Sequence, residues 1–431
     1  MRSFSLAMGV CVLLVGSASA TLTGTFLDRL EATDVRVGVY NIGGFIDDDS
    51  GFTVSGSGSN RITTFIPQNA RIMQAVDADV WAFQEIDNLS SSQIADALNR
   101  AVPLGNGDAW VAHRNAGQVI ASKFPILDVV TDVPGDPREP AVATIDLPDE
   151  LTDDDLHVLN LHLKARSGSS NEARRLASVD SLIDYLADTR DPDSPDALPA
   201  GTPTVVLGDY NTASGVAPVI NLAFGRYTDS DRYGPDAPPD WDGTGLEIVD
   251  ARHNVTGNVS YTFRSGSFTS RLDWIAHTDS VMDLAQAFVL NTVDMSAADL
   301  AATGLERNDV LFDASANRWD HLPLIADYRF AAAVVLVAGD FDGSGSVEQG
   351  DLNLVLNNWG LDTADETPDG WVNTADLSGV IDQAELNLVL NNWGNANATP
   401  DFSGFDVPEP AAASGLLLGV FVVTVRRRHP N

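Results

Sequence analysis

The chain has 431 residues, 44% of them apolar, and a formal charge of −36 with only two lysines, Lys123 and Lys164, among its cations. That length exceeds one ordinary domain, so a catalytic body of about 300 residues with accessory segments is expected, and the apolar share is enough for a real core. The charge excludes capture of nucleic acid by bulk electrostatics, so a phosphate substrate must be met locally, with bound divalent cations supplying positive charge at the reacting centre.

Residues 1–20 carry Arg2, an apolar stretch and a small-residue end at Ala18, Ser19 and Ala20, the pattern of a secretory signal. The one cysteine, Cys11, falls inside it, so the mature chain is expected to have no disulfide. From Val35 to about Tyr328, short β-branched runs alternate with helical stretches, the texture of a mixed α/β domain, taken here as 21–330. Strands are predicted at 35–40, 79–83, 117–121, 141–147, 156–162, 204–208, 272–276 and 322–328. Helices are predicted at 61–77, 91–101, 171–188 and 215–223, with polar loops at 46–60 and 228–245. Several strand ends carry polar residues that a structural sheet does not need: Asn41, Glu85, Asp209 and Asn211, with Asp320 and His321 at the start of another strand. In α/β sheets, functional groups collect where strands run out into loops.

Beyond Ala331 the character changes, because LNLVLNNWG at 352–360 recurs unchanged at 386–394. Before the first copy, DFDGSGSVEQGD places Asp340, Asp342 and Ser344 at loop positions 1, 3 and 5, Gly345 at 6, Ser346 at 7 and Asp351 at 12. That is the spacing of a Ca2+ loop leading into a helix. The two loop-helix units, at 338–396, resemble a dockerin, which implies a small helical calcium-loop repeat module and a possible cohesin-like partner. The second unit departs from the pattern: with Asp376 as position 1 the loop is two residues short of Glu385, so a calcium-stabilised spacer is favoured over docking. After a linker at 397–406 come VPEP, the apolar run 411–425 and Arg426 to Arg428. This tail, 407–431, resembles the PEP-CTERM sorting signal, which implies a transient membrane anchor, a sorting transpeptidase as partner and release of the exported body at the cell surface.

The motifs VYNIGGF, DVWAFQEIDN, GQVIASKFPI, LHVLNLHLKAR, VVLGDYNTA, SRLDWIAHT and RWDHLPLIADY run in order through residues 34–330. Together they resemble the endonuclease/exonuclease/phosphatase superfamily. The resemblance implies a DNase I-like four-layer α/β/β/α sandwich and metal-assisted hydrolysis of phosphodiesters. It implies Asn41, Glu85 and Asp320 as holders of Mg2+, Mn2+ or Ca2+. It implies Asp209 as base, Asn211 on the same side of an extended chain as an orienting group, and His321 as phosphate donor kept cationic or correctly oriented by Asp273. His162 would be a second donor or the acid for the leaving group. DNA or RNA is the expected substrate; a phospholipid or small phosphoester, or an inactive surface scaffold, are the alternatives. Lys164 and Arg166 read as substrate contacts or a solvated strand end, and Arg174 and Arg175 as surface helix charges. Asp250 reads as structural, and His113, His253 and His277 have no motif support.

Overall fold

The computed structural model describes residues 26–43, 52–55, 62–310 apart from 106, 134–138, 150 and 153, then 320–330, 338–342, 346–362, 371 and 379–394. The expected signal (1–20), linker (397–406) and sorting tail (407–431) lie outside the described residues, as do Ser344, Gly345 and Asp376. Among the described residues no helix is long and apolar enough to cross a membrane. The chain divides into two compact units, Met1–Ala333 and Val334–Asn431.

The first unit is built on two large sheets. One runs β12 (Arg252–His253), β16 (Met282–Val289), β17 (Leu324–Phe330), β1 (Val35–Asn41), β4 (Val80–Gln84), β6 (Gln118–Ser122), β5 (Val111–Asn115). The other runs β11 (Glu247–Ile248), β15 (Asp273–His277), β10 (Thr204–Asp209), β9 (Leu156–His162), β8 (Ala141–Ile145), β7 (Ile126–Val130). Two hairpins, β2–β3 (Phe52–Ser55, Ile62–Phe65) and β13–β14 (Phe263–Ser265, Phe268–Ser270), stand apart from them.

Side chains alternate across a strand, so pairing register decides which residues share a face. In the first sheet Val37, Val39 and Asn41 lie level with Val80, Ala82 and Gln84. In the second, Val205, Leu207 and Asp209 lie level with Val158, Asn160 and His162 on one side. On the other side they lie level with His277, Ile275 and Asp273. Hydrogen bonds from Gln84 to Asn160 and from Asn41 to Asp209 cross between the sheets, so these stripes face each other. Val35, Val37, Val39, Val158, Val205, Leu207 and Ile275 form a buried core in the gap. The outer face of the second sheet packs Leu159, Leu161 and Val206 under α3 (Ser169–Asp188) and α4 (Ala217–Phe224). The first sheet is covered by α1 (Pro67–Val76) and α2 (Ser91–Ala101), which bury Ile72, Met73, Ile94 and Leu98 in the same core as Trp81 and Phe83. The layers are therefore α/β/β/α. Two short helices, α5 (Ser230–Tyr233) and α6 (Ala297–Thr303), lie in connections.

All eight predicted strands are present, with boundaries shifted by a few residues, but the predicted helix 61–77 is two elements. Ile62, Thr63 and Thr64 are β-branched and form β3, and Pro67 then starts α1 at a position where its missing N–H costs nothing. The predicted loop 46–60 includes β2, and 228–245 includes α5. Arg175, read as a surface charge, is fully buried: it pairs with Glu172 and donates to the carbonyls of Lys164 (2.6 Å) and Arg166 (2.9 Å), fastening the segment that follows β9.

In the second unit, α7 (Gln349–Asn357) and α8 (Gln383–Asn392) pack Phe341, Val347, Val355, Trp371, Ile381 and Val389 into a small core. Asp351 accepts from the backbone N–H of Phe341 (2.6 Å), Asp342 (3.1 Å) and Glu348 (2.8 Å). Asp340, Asp342 and Asp351 bring carboxylate oxygens within 4.8 Å of one another.

Two histidines tie this packing to pH. Burial lowers His157, held between Thr144 and Tyr185, to about 4, and lowers His277 to about 4 against the weaker pull of Asp240. Unfolded, both protonate near 6.5, so below that pH the unfolded chain binds the extra protons. Their stabilisation is complete above about 6.5 and is lost as pH falls toward 4. Urea unfolding should therefore show a loss on the order of 1–2 kcal/mol per histidine between pH 7 and 5. His157→Gln should flatten that dependence; an unchanged slope would show that this histidine is not the cause.

Candidate active site

The inward stripes all end polar at the same edge of the two sheets. Asn41 closes β1, Gln84 closes β4 with Glu85 just beyond it, His162 closes β9, Asp209 closes β10 and Asp273 opens β15. Asp320 and His321 arrive on the chain just before β17, where His321 bridges to Phe263 and Leu322 N–H donates to the Thr262 carbonyl at 2.6 Å. Asn41, Glu85, His162, Asp209, Asn211, Asp273, Asp320 and His321 are thus brought together as the sequence implied.

Asp209 is at the centre and is buried. Its carboxylate accepts from Asn211 N–H (2.8 Å), Asn211 Nδ2 (3.0 Å) and Asn41 Nδ2 (3.2 Å). His162 Nε2 and His321 Nε2 stand 3.7 and 3.8 Å from its Oδ2. Burial pushes the Asp209 carboxyl up to about 7; His321 opposes that rise and Asp273 adds to it. Asn211 is not extended, as expected from its spacing, but sits at φ 52°, in the left-handed region, which turns its amide back onto Asp209 and the Leu163 carbonyl.

His321 Nδ1 lies 2.7 Å from Asp273 Oδ2. Burial disfavours its charge, yet Asp273, Asp209 and Asp320 outweigh that and push His321 up to about 10, so it is a cation at neutral pH. Asp273 is itself fixed, its N–H donating to Thr262 Oγ1 at 3.0 Å. Burial, with Glu85 nearby, raises Asp320, and His321 restrains the rise.

Glu85 is the half-exposed member, at φ 67°. Its Oε1 accepts from Asn41 Nδ2 (3.1 Å) and lies 3.8 Å from His162 Nε2. Gly43 makes room for it: a Cβ there would come within 1.9 Å of Glu85 Oε2. Glu85, His162, Asp209, Asn211, Asp320 and His321 line one cavity of about 470 Å³. Among the described residues, Asp209, Asp273 and His321 bring one donor atom each within 4.8 Å of one another. His321 in that cluster is already held by Asp273 as a cation, which a metal would have to displace. Glu85 and Asp320 are hard oxygen donors facing the same cavity, one still open to it, and that donor set fits Mg2+, Mn2+ or Ca2+.

Sequence reading missed the cavity's far wall, where Phe263, Phe268 and Leu272 present apolar surface. Phe263 lies edge-on to His321 (5.2 Å between centroids) and to Phe268 (6.2 Å), a residue that is 59% exposed. The available signal was two phenylalanines, Phe263 and Phe268, on either side of the turn at Gly266 and Ser267, the second five residues before Asp273. Arg166 also lines the cavity, whereas Asp250 pairs with Arg252 and Arg271 outside it.

A buried carboxyl poised near neutrality beside an imidazolium held by a second carboxylate can take a proton from water while positive charge faces an anion, which is the equipment of a hydrolase acting on phosphoric ester bonds. The model of the endonuclease/exonuclease/phosphatase family matches residues 38–294, more than half of the chain, and the chain belongs to that family. No curated protein matches it in sequence. Among solved structures it is similar to the catalytic domain of human nocturnin, at 16% identity and TM-score 0.41 over 70% of this chain and 97% of that one. It is also similar to ANGEL2, a 2',3'-cyclic phosphatase, at 17% identity and TM-score 0.42 over 68% and 95% of the two chains. A family protein from Leptotrichia buccalis matches at 12% identity and TM-score 0.40 over 69% and 100%.

Gly43 offers a direct check on the metal set. Gly43→Ala should displace Glu85 and raise the Mg2+ concentration needed for half-maximal phosphodiester hydrolysis about tenfold or more, with little change in melting temperature. An unshifted metal titration would separate Glu85 from metal binding.

Proposed function

We propose that the chain is an exported, divalent-metal-dependent phosphodiesterase that cleaves DNA or RNA. The observation that carries the chemistry is Asp209, buried and near neutrality, with one carboxylate oxygen facing both His162 and His321 within 3.8 Å. Asp209 accepts a proton from a water whose oxygen attacks phosphorus. His321, charged and steered by Asp273, donates to a non-bridging phosphoryl oxygen, and Asn211 holds Asp209 in orientation. As the ester P–O bond breaks, His162 at the cavity edge supplies the proton that the leaving oxygen takes up. Glu85, with Asn41 and Asp320, would hold a Mg2+, Mn2+ or Ca2+ ion, whose contribution there is to neutralise charge developing on the phosphoryl oxygens.

Nucleic acid is favoured by the aromatic wall. A chain at −36 gains little from phosphate attraction, whereas a base stacked on an aromatic side chain contributes about 1–3 kcal/mol irrespective of charge. Phe268, exposed on its hairpin beside the reacting groups, suits an unpaired base, so single strands and ends are preferred over intact duplex.

The flanking segments complete the proposal. The N-terminal 20 residues direct export, and 407–431 serve as a sorting tail with a transient membrane anchor, cut by a transpeptidase at the cell surface. Residues 338–396 form a dockerin-like module that binds Ca2+ through Asp340, Asp342, Asp351 and, in the same loop, Ser344 and Ser346. The meeting of the three aspartates supports that reading. The module acts as a spacer rather than as a dock for a cohesin-like partner.

Purified mature chain should hydrolyse single-stranded DNA or RNA with Mg2+ and not with EDTA, and Asp209→Ala should lower kcat at least a thousandfold. Phe268→Ser should cost about tenfold in kcat/KM on single strands while sparing a non-aromatic methyl phosphodiester. Cleavage of that small ester alone by the unaltered protein would move the substrate away from nucleic acid. For the second unit, Ca2+ should raise its unfolding temperature in the mature chain, and Asp342→Ala should abolish the increase; a Ca2+ response that survives this substitution would place the ion elsewhere.

A further inference from the structure

The site draws residues from two sheets whose shared interface is largely apolar. Apolar contact is non-directional, so packing of Val37, Val39, Ala82, Val158 and Leu207 does not by itself fix how far one sheet slides over the other. Yet Glu85 belongs to one sheet and His162, Asp209 and Asp273 to the other, and catalytic geometry tolerates little error. A directional contact is needed near the site.

Asn160 supplies one. It lies on β9 two residues before His162 and on the same face, fully buried. Its Nδ2 donates across the gap to the Phe83 carbonyl (2.9 Å) and the Val119 carbonyl (2.8 Å), and its Oδ1 accepts from Gln84 Nε2 at 2.6 Å. Phe83 and Val119 are the last paired residues of β4 and β6, so the amide enters where that ladder ends. Immediately afterwards Glu85 turns to φ 67°, and Ile86 N–H then reaches the Gly117 carbonyl at 2.9 Å. A left-handed glutamate is strained and persists only where its surroundings over-determine it. Here the backbone two residues before it and the side chain one residue before it are both tied to Asn160, and the residue after it is tied to Gly117.

We propose that Asn160 is a positioning residue for Glu85: its amide pins the end of β4 to β9, holds the left-handed turn and thereby sets the Glu85 carboxylate 3.8 Å from His162, where it faces the cavity. Gln84 is the partner that orients the amide. The inference rests on the proposed role of Glu85 in holding the metal, and the test separates the two.

Mn2+ binding to the mature chain is measured by the loss of the free-ion electron paramagnetic resonance signal, alongside thermal unfolding. Glu85→Gln identifies which Mn2+ site depends on that carboxylate. Gln84→Met keeps the volume and leaves both Asn160 backbone bonds, and should weaken that site about threefold; Asn160→Leu, which removes the whole clasp, should weaken it about tenfold or more. A purely structural role would lower the unfolding temperature and leave the dissociation constant of the folded protein unchanged, so affinity within twofold of the unaltered chain in both variants overturns the inference. Should Asn160→Leu fail to fold, Gln84→Met alone decides in the same way. If Glu85→Gln removes no Mn2+ site, the metal role of Glu85 falls and takes the inference with it.

Discussion

Carboxylates outnumber cations in the space between the sheet ends, and the site is organised around that imbalance. Asp209, Asp273, Asp320 and Glu85 converge there with the two imidazoles of His162 and His321. In a medium that screens poorly, charges of one sign so close cannot all persist without compensation. Asp273 and His321 resolve part of it as a hydrogen-bonded pair, and Asp209 resolves part by holding its proton up to near neutrality. What is left falls on Glu85 and Asp320, the two oxygen donors still facing the cavity, and a divalent cation is the natural complement. Amides from Asn41 and Asn211, and the Thr262 hydroxyl that accepts from Asp273 N–H, then fix orientation without adding charge.

The same economy extends outward. A chain of net charge −36 repels polyanions at distance, so under the proposed function recognition is short-range. An exposed phenylalanine on a hairpin that also braces His321 through Phe263 sets apolar surface beside that histidine in one small element. In the second unit the acidic groups are likewise drawn together in a loop, with Asp351 capping the backbone N–H groups that shape it.

Much of the site was legible because strands have a period of two and their ends are marked by polar residues. Asn41, Asp209 and Asp273 each continue an apolar stripe at the same parity, and the motifs around them name the chemistry. What failed were statements that depend on φ and on long-range neighbours. Asn211 was expected to extend from Asp209, but its left-handed turn brings its amide back onto it. Arg175 has the sequence context of a solvated helix charge; only the carbonyls of Lys164 and Arg166, set by the chain's path after β9, give it reason to be buried. The stretch 61–77 reads as one helix, yet β2 pairs with its β-branched start at Ile62–Phe65 in a hairpin.

By itself the sequence determined the α/β alternation, the family, and which residue types stand at the strand ends, since these follow from local periodicity and from short motifs. Tertiary structure decided which of those ends meet. Asn160 and Gln84 read as ordinary polar residues in two apolar strands, and become a clasp only when two sheets, 76 residues apart in the chain at that contact, are laid face to face. The aromatic wall and the upward shifts of Asp209 and His321 likewise arise from burial and distance, quantities that no local pattern encodes.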